Sequence, residues 1–233
     1  MQEGDCKGIL VFWLPNLKSI TGNLPADTKG STCMKKLIVG ISGASGVIYG
    51  IRLLELLRDV PDVETHLIMS TAAATTIGLE TDFTAEEVMQ LADVYYRFRD
   101  IAAAVSSGSF KTWGMVVVPC SMKTLAGIAN SFSDNLLLRA ADVVLKDRRR
   151  LVIVPRETPL HLGHLRLMVQ VTELGAILAP PMPAFYHRPE SIDDIVNQTV
   201  NRLLDLLEIE LPEDLFTRWQ GGKASRGNEE DGA

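Results

Sequence analysis

The feature that most constrains the fold of this chain is a regular alternation of short, continuous apolar runs with longer segments of helical periodicity. Apolar runs rich in Val, Ile and Leu predict parallel strands that are covered on both faces. Six strands are predicted, at residues 37–41, 64–69, 95–99, 115–119, 151–155 and 176–180. The alternation predicts the α/β class, with a single doubly wound parallel sheet of Rossmann-like, flavodoxin type flanked by helices.

Helical segments lie between these strands. An apolar stripe from Val47 to Leu57 predicts the first helix, and Thr84 with Glu87 three residues later forms a capping box for another. Further helices are predicted at residues 134–146, at residues 161–174 and from Ser191 onward. The helices therefore fall where a doubly wound sheet needs its crossover connections.

The two ends of the chain depart from this pattern. Residues 1–33 have no sustained period, and their acidic start and short apolar burst do not form a signal peptide. We interpret them as a non-native or poorly ordered N-terminal extension, with Met34 as the natural start. Residues 34–219 then form the folded domain, and residues 220–233 are expected to be a disordered tail.

Charge and cysteine content narrow the classes of function. The formal net charge of −6 offers no basic surface for nucleic acid, and the apolar runs are too short to span a membrane. Three cysteines without C-x-x-C spacing favour a reducing compartment. His161 and His164 lie three residues apart but lack a third metal ligand. We expect a cytoplasmic, metal-free function on a small molecule.

The first predicted strand ends in the turn Ser42-Gly43-Ala44-Ser45-Gly46. Its glycines permit close approach of a ligand, but they do not follow the G-x-G-x-x-G pattern of dinucleotide sites, and no P-loop Gly-Lys-Ser/Thr follows. A dinucleotide site would also need an acidic residue after the second strand, where Ser70 stands instead. A hydroxyl there suits a flavin or a phosphate-bearing chain better.

Further polar groups follow or precede later strands. Ser121 and Thr124 begin a helix after the fourth strand, where they could hold a phosphate or simply cap the helix. The loop Ser107–Ser109 precedes that strand, and we expect both turns to feed one sheet edge. Arg156 and Glu157 follow the fifth strand, and a carboxylate beside arginine can exchange a proton with a phosphate.

The chain contains, in order, the segments GISGASGVIYG, LETD, SSGSF, PCSMKTLAGIA, NLLLRAADVVLK, VPRETPLH and PAFYHRPESIDDIV. From about Met34 to Trp219, these segments resemble the flavin prenyltransferase (UbiX-like) family, formerly labelled phenylacrylic or hydroxyaromatic acid decarboxylases. The resemblance implies transfer of a dimethylallyl group from dimethylallyl monophosphate to N5 and C6 of reduced FMN. It also implies that prenylated FMN passes to a partner aromatic-acid decarboxylase, and that the enzyme is a metal-free homo-oligomer, a dodecamer.

The resemblance also assigns roles to individual residues. The FMN-binding set is Gly43, Ala44, Ser45, Ser70, Ser121, Met122, Lys123, Thr124 and Arg139. The dimethylallyl-phosphate-binding set, partly supplied by neighbouring subunits, is Ser107, Gly108, Lys146, Arg156, Glu157, Tyr186 and Arg202. Ser45, Glu80 and Glu157 are the implied catalytic residues. Ile101 stands where relatives often place an aromatic or proline-rich stretch over the prenyl group, which weakens the case for cation–π shielding there.

Three other functions remain as alternatives. An FMN-dependent cysteine decarboxylase of the same fold typically has asparagine where this chain has Lys123. A non-catalytic FMN carrier would not need the basic residues of the phosphate-binding set. A direct aromatic-acid decarboxylase would need a dedicated acid-base pair that the sequence does not display.

Overall fold

The computed structural model describes residues 34–221 of the chain. The expected extension over residues 1–33 and all but the first two residues of the expected tail lie outside the described residues. Within residues 34–221, no helix is long and apolar enough to cross a membrane.

The described domain is built on one parallel sheet of six strands in the order β3-β2-β1-β4-β5-β6. The strands are β1 Lys35–Ile41, β2 Val63–Met69, β3 Val94–Tyr96, β4 Gly114–Cys120, β5 Arg150–Pro155 and β6 Ile177–Leu178. The predicted doubly wound α/β class is confirmed. The strand order reverses between β1 and β4, so the carboxyl ends of these two strands form the topological switch point where ligands bind in such sheets.

The two edge strands are shorter than the sequence predicts. β3 has three residues and β6 has two, against five predicted for each. An edge strand has a ladder partner on one side only, so fewer hydrogen bonds hold it in the sheet. β3 is half-buried, and the chain leaves the sheet after Tyr96.

Seven helices of the described residues flank the sheet: α1 Val47–Leu57, α2 Thr71–Glu80, α3 Ala85–Gln90, α4 Met122–Ala129, α5 Leu136–Lys146, α6 Leu162–Glu173 and α7 Ile192–Leu206. The predicted capping box of Thr84 and Glu87 is present, and a second one joins Ser191 to Asp194. α2 was not predicted, because it buries only Ala73 and Ile77 and therefore lacks an extended apolar stripe.

The apolar core lies in two layers, one on each face of the sheet. Side chains of α1, α2, α3 and α7 pack on one face, and those of α4, α5 and α6 pack on the other. Alternate residues of β1 serve the two layers: Leu37 and Val39 point to the first, and Ile38 to the second. This packing leaves the carboxyl edge of the sheet between the layers as the place for a ligand.

Candidate active site

A cavity of about 1120 Å³ opens at the carboxyl edge of the sheet, beside the switch point. Five of the residues expected to hold a flavin line it: Gly43, Ser70, Ser121, Lys123 and Thr124. The turn after β1, the ends of β2 and β4, and the starts of α2 and α4 supply them. Strand ends that are adjacent in the sheet thus bring together residues that are up to 81 positions apart in the sequence.

The glycine turn is tied to the end of β4 through Ser42. The buried Ser42 hydroxyl donates to the Pro119 carbonyl at 3.0 Å and accepts the Ser121 backbone N–H at 2.7 Å. A Cβ added at Gly43 would overlap the side chain of Ala72, in the first turn of α2. Gly43 is therefore required for the close approach of the turn to α2.

Ser70 and Ser121 each cap a helix that points at the cavity. The Ser70 hydroxyl accepts the Ala73 N–H at 3.1 Å, and the Ser121 hydroxyl accepts the Thr124 N–H at 3.3 Å. Ser121 also donates to the Thr124 hydroxyl at 3.1 Å. Both serines thus serve the capping role and line the cavity. One cap satisfies one of several free N–H groups at a helix start, and the others can meet a polar ligand.

Glu80 joins the turn from the far end of α2. Its carboxylate accepts the Gly46 N–H at 2.8 Å, and Gly46 begins α1 with a left-handed φ of 95°. Ser45, the residue before Gly46, is half-buried. Glu80 therefore contacts the residue that follows Ser45, which brings two of the three predicted catalytic residues to the same turn. Ala44, Ser45 and Met122 lie next to cavity-lining residues but do not themselves line it.

Arg139 connects α5 to the segment before β4. Its Nε donates to the Ser106 carbonyl at 3.1 Å, and it pairs with Asp142 at 2.8 Å. Neighbouring residues of α5, Asn135 and Leu138, line the cavity, whereas Arg139 does not. The arginine thus ties the N-terminal half of α5 to the segment that contains Ser106.

Ser107, Gly108 and Lys146 lie elsewhere. The Gly108 carbonyl accepts a hydrogen bond from Arg149, just before β5 begins, and Lys146 pairs with Asp147 at 2.8 Å. The hydrogen bond from Lys146, together with the charges of Lys146 and Arg149, holds the pKa of Asp147 below its ordinary value.

The expectation that the Ser107–Ser109 loop and the Ser121 turn feed one edge of the sheet is wrong within one chain. α5 runs antiparallel to the strands, so its C-terminal end, which carries Lys146, lies at the amino edge. The loop lies at this amino edge, whereas Ser121 follows the carboxyl end of β4.

Arg156 and Glu157 follow the carboxyl end of β5, as predicted, and both are exposed. The Arg156 N–H donates to the Cys120 carbonyl at 3.1 Å, which keeps this segment beside the end of β4. The Glu157 carboxylate accepts the Thr158 N–H at 2.9 Å. Both side chains are near the switch-point edge but outside the cavity lining.

Tyr186 and Arg202 form a further location. Tyr186 is 46% exposed and lies in the loop before α7, where its ring is near those of Phe216 and Trp219. Arg202 projects from α7 and pairs with Asp205 at 2.7 Å. Within one chain, therefore, the seven predicted phosphate-binding residues are divided among three places on the surface.

Sequence reasoning missed several cavity-lining residues. Phe98 and Arg99 lie at the end of the predicted third strand, so the rule that ligands bind at carboxyl ends could have selected them. Asn130, Phe132 and other residues of the α4–α5 connection carried no such signal. Ile101, which the sequence had singled out, does line the cavity and is 61% exposed.

The histidines and the cysteine near this edge have structural roles. Nδ1 of His161 accepts the Gly163 N–H at 3.0 Å and caps α6, and the His161 and His164 rings lie 3.6 Å apart. Within residues 34–221, no group of three or more metal-ligating side chains comes together. Cys120 is fully buried at the end of β4, and burial raises the pKa of its thiol far above the ordinary range.

Comparisons with known proteins match most of the chain. The family model described as Flavoprotein matches residues 26–204. The flavin prenyltransferase UbiX of Escherichia coli (strain K12) is 69% identical over 188 residues, which cover 81% of this chain and all of that protein.

Two solved structures are also similar. The dodecameric FMN-dependent UbiX-like decarboxylase from Escherichia coli O157:H7 is 54% identical with a TM-score of 0.77, covering 80% of this chain and all of the other. AnUbiX, in complex with FMN and dimethylallyl pyrophosphate, is 50% identical with a TM-score of 0.78, covering 81% of this chain and 99% of the other.

Proposed function

This chain belongs to the UbiX-like family of flavin prenyltransferases, and we propose that it transfers the dimethylallyl group of dimethylallyl monophosphate to N5 and C6 of reduced FMN. The prenylated FMN would then serve a separate aromatic-acid decarboxylase, and the reaction would take place in the cytoplasm. The chain is an enzyme that acts on FMN, which in this reaction is a substrate.

The observation that carries the proposal is the cavity at the switch point. Its volume of about 1120 Å³ is ample for a flavin with its ribityl phosphate. Gly43 lets the backbone approach the ring, and the helix starts capped by Ser70 and Ser121 suit the polar ring edge and the phosphate. We assign FMN to this cavity.

The transfer separates charge, and the proposed residues suit that chemistry. Two bonds form, from prenyl carbons to N5 and C6, while the C–O bond to phosphate breaks and the prenyl double bond is consumed. Of the two protons that leave N5 and C6, one is added to the former double bond and one passes to phosphate. Cations around the phosphate, from Lys146, Arg156 and Arg202, would stabilise the leaving group. Apolar walls such as Ile101 would shelter the allylic cation from water.

Two carboxylates and one hydroxyl have proposed roles in handling protons. Glu157 exchanges a proton with the departing phosphate, which then accepts the proton that the flavin loses. Ser45 orients the N5 edge of the ring or receives its proton. Glu80 holds the turn that presents Ser45, through its bond to the Gly46 N–H at 2.8 Å.

The proposed site needs more than one copy of the chain. Ser107, Gly108 and Lys146 lie at the opposite edge of the sheet from the cavity of their own chain, so we assign them to the cavity of a neighbouring copy. α6 offers a surface for such contacts, because its Leu162, Leu165 and Val169 are exposed. A homo-oligomer, which we propose to be a dodecamer, would cover this face.

Mass measurement of the flavin tests the function directly. Purified protein incubated without oxygen with reduced FMN and dimethylallyl monophosphate should convert FMN to a product heavier by one prenyl unit. A cysteine decarboxylase or an FMN carrier would bind FMN and leave its mass unchanged. Adding the product to an apo-decarboxylase and measuring release of CO₂ from an aromatic acid tests its proposed use.

A further inference from the structure

The C-terminal segment of the described chain, residues 211–219, is fastened to α7. The Leu215 N–H donates to the side-chain oxygen of Asn201 at 2.9 Å, and Asn201 is only 3% exposed. The Arg218 guanidinium bonds to both Asp205 oxygens at 2.9 Å and to both Asp214 oxygens at 2.6 Å. A buried amide and a doubly paired arginine therefore hold this segment in one position.

The same segment covers one side of Tyr186. The rings of Phe216 and Trp219 lie 6.3 and 6.0 Å from the Tyr186 ring, at interplanar angles of 66° and 71°. The Arg218 guanidinium lies 5.8 Å from the centre of the Phe216 ring. These are edge contacts between aromatic rings, an arrangement that favours one orientation of the tyrosine.

Asp205 links the segment to Arg202. It accepts one N–H of Arg202 at 2.7 Å, while Arg218 occupies both of its oxygens. Hydrogen bonding from Arg218, the largest cause, holds the pKa of Asp205 below its ordinary value. Because Arg218 uses both oxygens, Arg202 is held by one N–H, and its remaining N–H groups can bind a phosphate.

We propose that Arg218 is a positioning residue for the prenyl-phosphate site: it keeps Asp205 from pairing fully with Arg202 and holds Phe216 and Trp219 against Tyr186. The inference rests on the proposed function, in which Tyr186 and Arg202 bind the phosphate. Arg218 itself does not bind the substrate. Without Arg218, Asp205 forms a two-bond pair with Arg202, and Arg202 can no longer bind the phosphate.

Steady-state kinetics of Arg218→Ala tests the proposal. At saturating reduced FMN, we expect the KM for dimethylallyl monophosphate to rise about tenfold, as for loss of a charged hydrogen bond, with kcat little changed. FMN affinity should stay at the wild-type value. The KM of Arg218→Lys should lie between those of the wild type and Arg218→Ala, because lysine keeps the charge but cannot pair with both carboxylates in the same geometry.

The double variant Arg218→Ala with Asp205→Asn separates positioning from simple folding. Removing the carboxylate frees Arg202 again, so the double variant should recover part of the lost affinity. Arg150→Ala is the matched control, because Arg150 also forms an ion pair at this end of the chain, but with Glu208 just beyond α7 and not with Asp205. This control should leave the KM unchanged.

The outcomes are distinguishable. If Tyr186→Phe and Arg202→Ala raise the KM, the phosphate site stands. In that case, an unchanged KM in Arg218→Ala, or no recovery in the double variant, overturns the inference alone. If Tyr186→Phe and Arg202→Ala leave the KM unchanged, the phosphate site of the proposed function is wrong and this inference falls with it. If Arg218→Ala raises the KM and the double variant lowers it part of the way back, the result supports both the phosphate site and the positioning role of Arg218.

Discussion

Ser45 is the residue at which the glycine turn meets the proposed chemistry. It lies between Gly43, at the wall of the cavity, and Gly46, whose N–H is held by Glu80. A hydroxyl at this point can orient or accept the N5 proton of the flavin. The sequence selected Ser45 by resemblance, and the structure shows the half-buried corner in which it lies.

Ser45→Ala tests that role. We expect FMN to bind with near-wild-type affinity, because Gly43, Ser70 and Ser121 remain, while prenyl transfer slows on the order of 100-fold. Titration of FMN by fluorescence and single-turnover rates provide the two measurements. A rate within threefold of wild type would exclude a part for Ser45 in proton transfer.

Glu157 is the second residue with a proposed role in proton transfer, and its side chain is exposed after β5. Glu157→Gln keeps the size and the hydrogen bond from Thr158 but cannot carry a proton. The variant should bind both substrates and transfer the prenyl group about 100-fold or more slowly. Rapid quench with detection of released phosphate measures this step, and turnover near the wild-type rate would remove Glu157 from the mechanism.

At the scale of elements, the approach of the glycine turn to α2 is set by Gly43. Gly43→Ala should destabilise the fold by about 1 to 3 kcal/mol through overpacking against Ala72, and it should weaken FMN binding. Gly78→Ala is a matched control within α2, because a Cβ there meets nothing within 4 Å. That control should be neutral or stabilising, by ~0.5–1 kcal/mol. Thermal unfolding and FMN titration compare the pair.

The C-terminal segment should be released by acid. Arg218 holds the pKa of Asp205 and of Asp214 below the ordinary value, so both carboxylates are more acidic in the folded protein. Their contribution to the stability of the segment is therefore complete above pH 3.8, the ordinary aspartate pKa. It is lost as the pH falls through the lower pKa values of the folded protein. A variant with Trp219 as its single tryptophan should change its fluorescence in that range.

The control for this acid transition is the same variant carrying Asp205→Asn. Asparagine does not titrate, so the fluorescence change should be smaller and should start from a more solvent-exposed signal at neutral pH. Identical acid titrations in the two proteins would contradict the assignment of the transition to Asp205.

At the scale of the whole molecule, we propose that the active site is shared between copies of the chain. Ser45→Ala removes a proposed catalytic group from the chain's own site, whereas Lys146→Ala removes a cation that the chain would supply to the site of a neighbouring copy. If the two variants are unfolded together and refolded as mixed oligomers, about one quarter of the sites should combine two intact parts. We expect measurable prenyl transfer from the mixture and almost none from either variant alone. An inactive mixture with normal assembly would place Lys146 in its own chain's site.

Much of this molecule follows from local sequence patterns. Apolar runs and helical stripes predicted the parallel sheet, because burial on both faces leaves its signature within a few residues. Strand ends predicted Gly43, Ser70 and Ser121 as ligand-lining residues, because parallel strands bring their carboxyl ends to one edge. Capping boxes predicted where α3 and α7 begin, because each box is formed by residues only three positions apart.

Tertiary structure alone decided the rest. The shortness of β3 and β6 depends on their position at the sheet edges, and α2 is a helix whose packing needs only two buried residues. The division of the predicted phosphate-binding residues among three places, and the pairing of Arg218 with Asp205, depend on contacts between distant segments. No local period records such contacts, because they form only when the packed sheet brings the segments together.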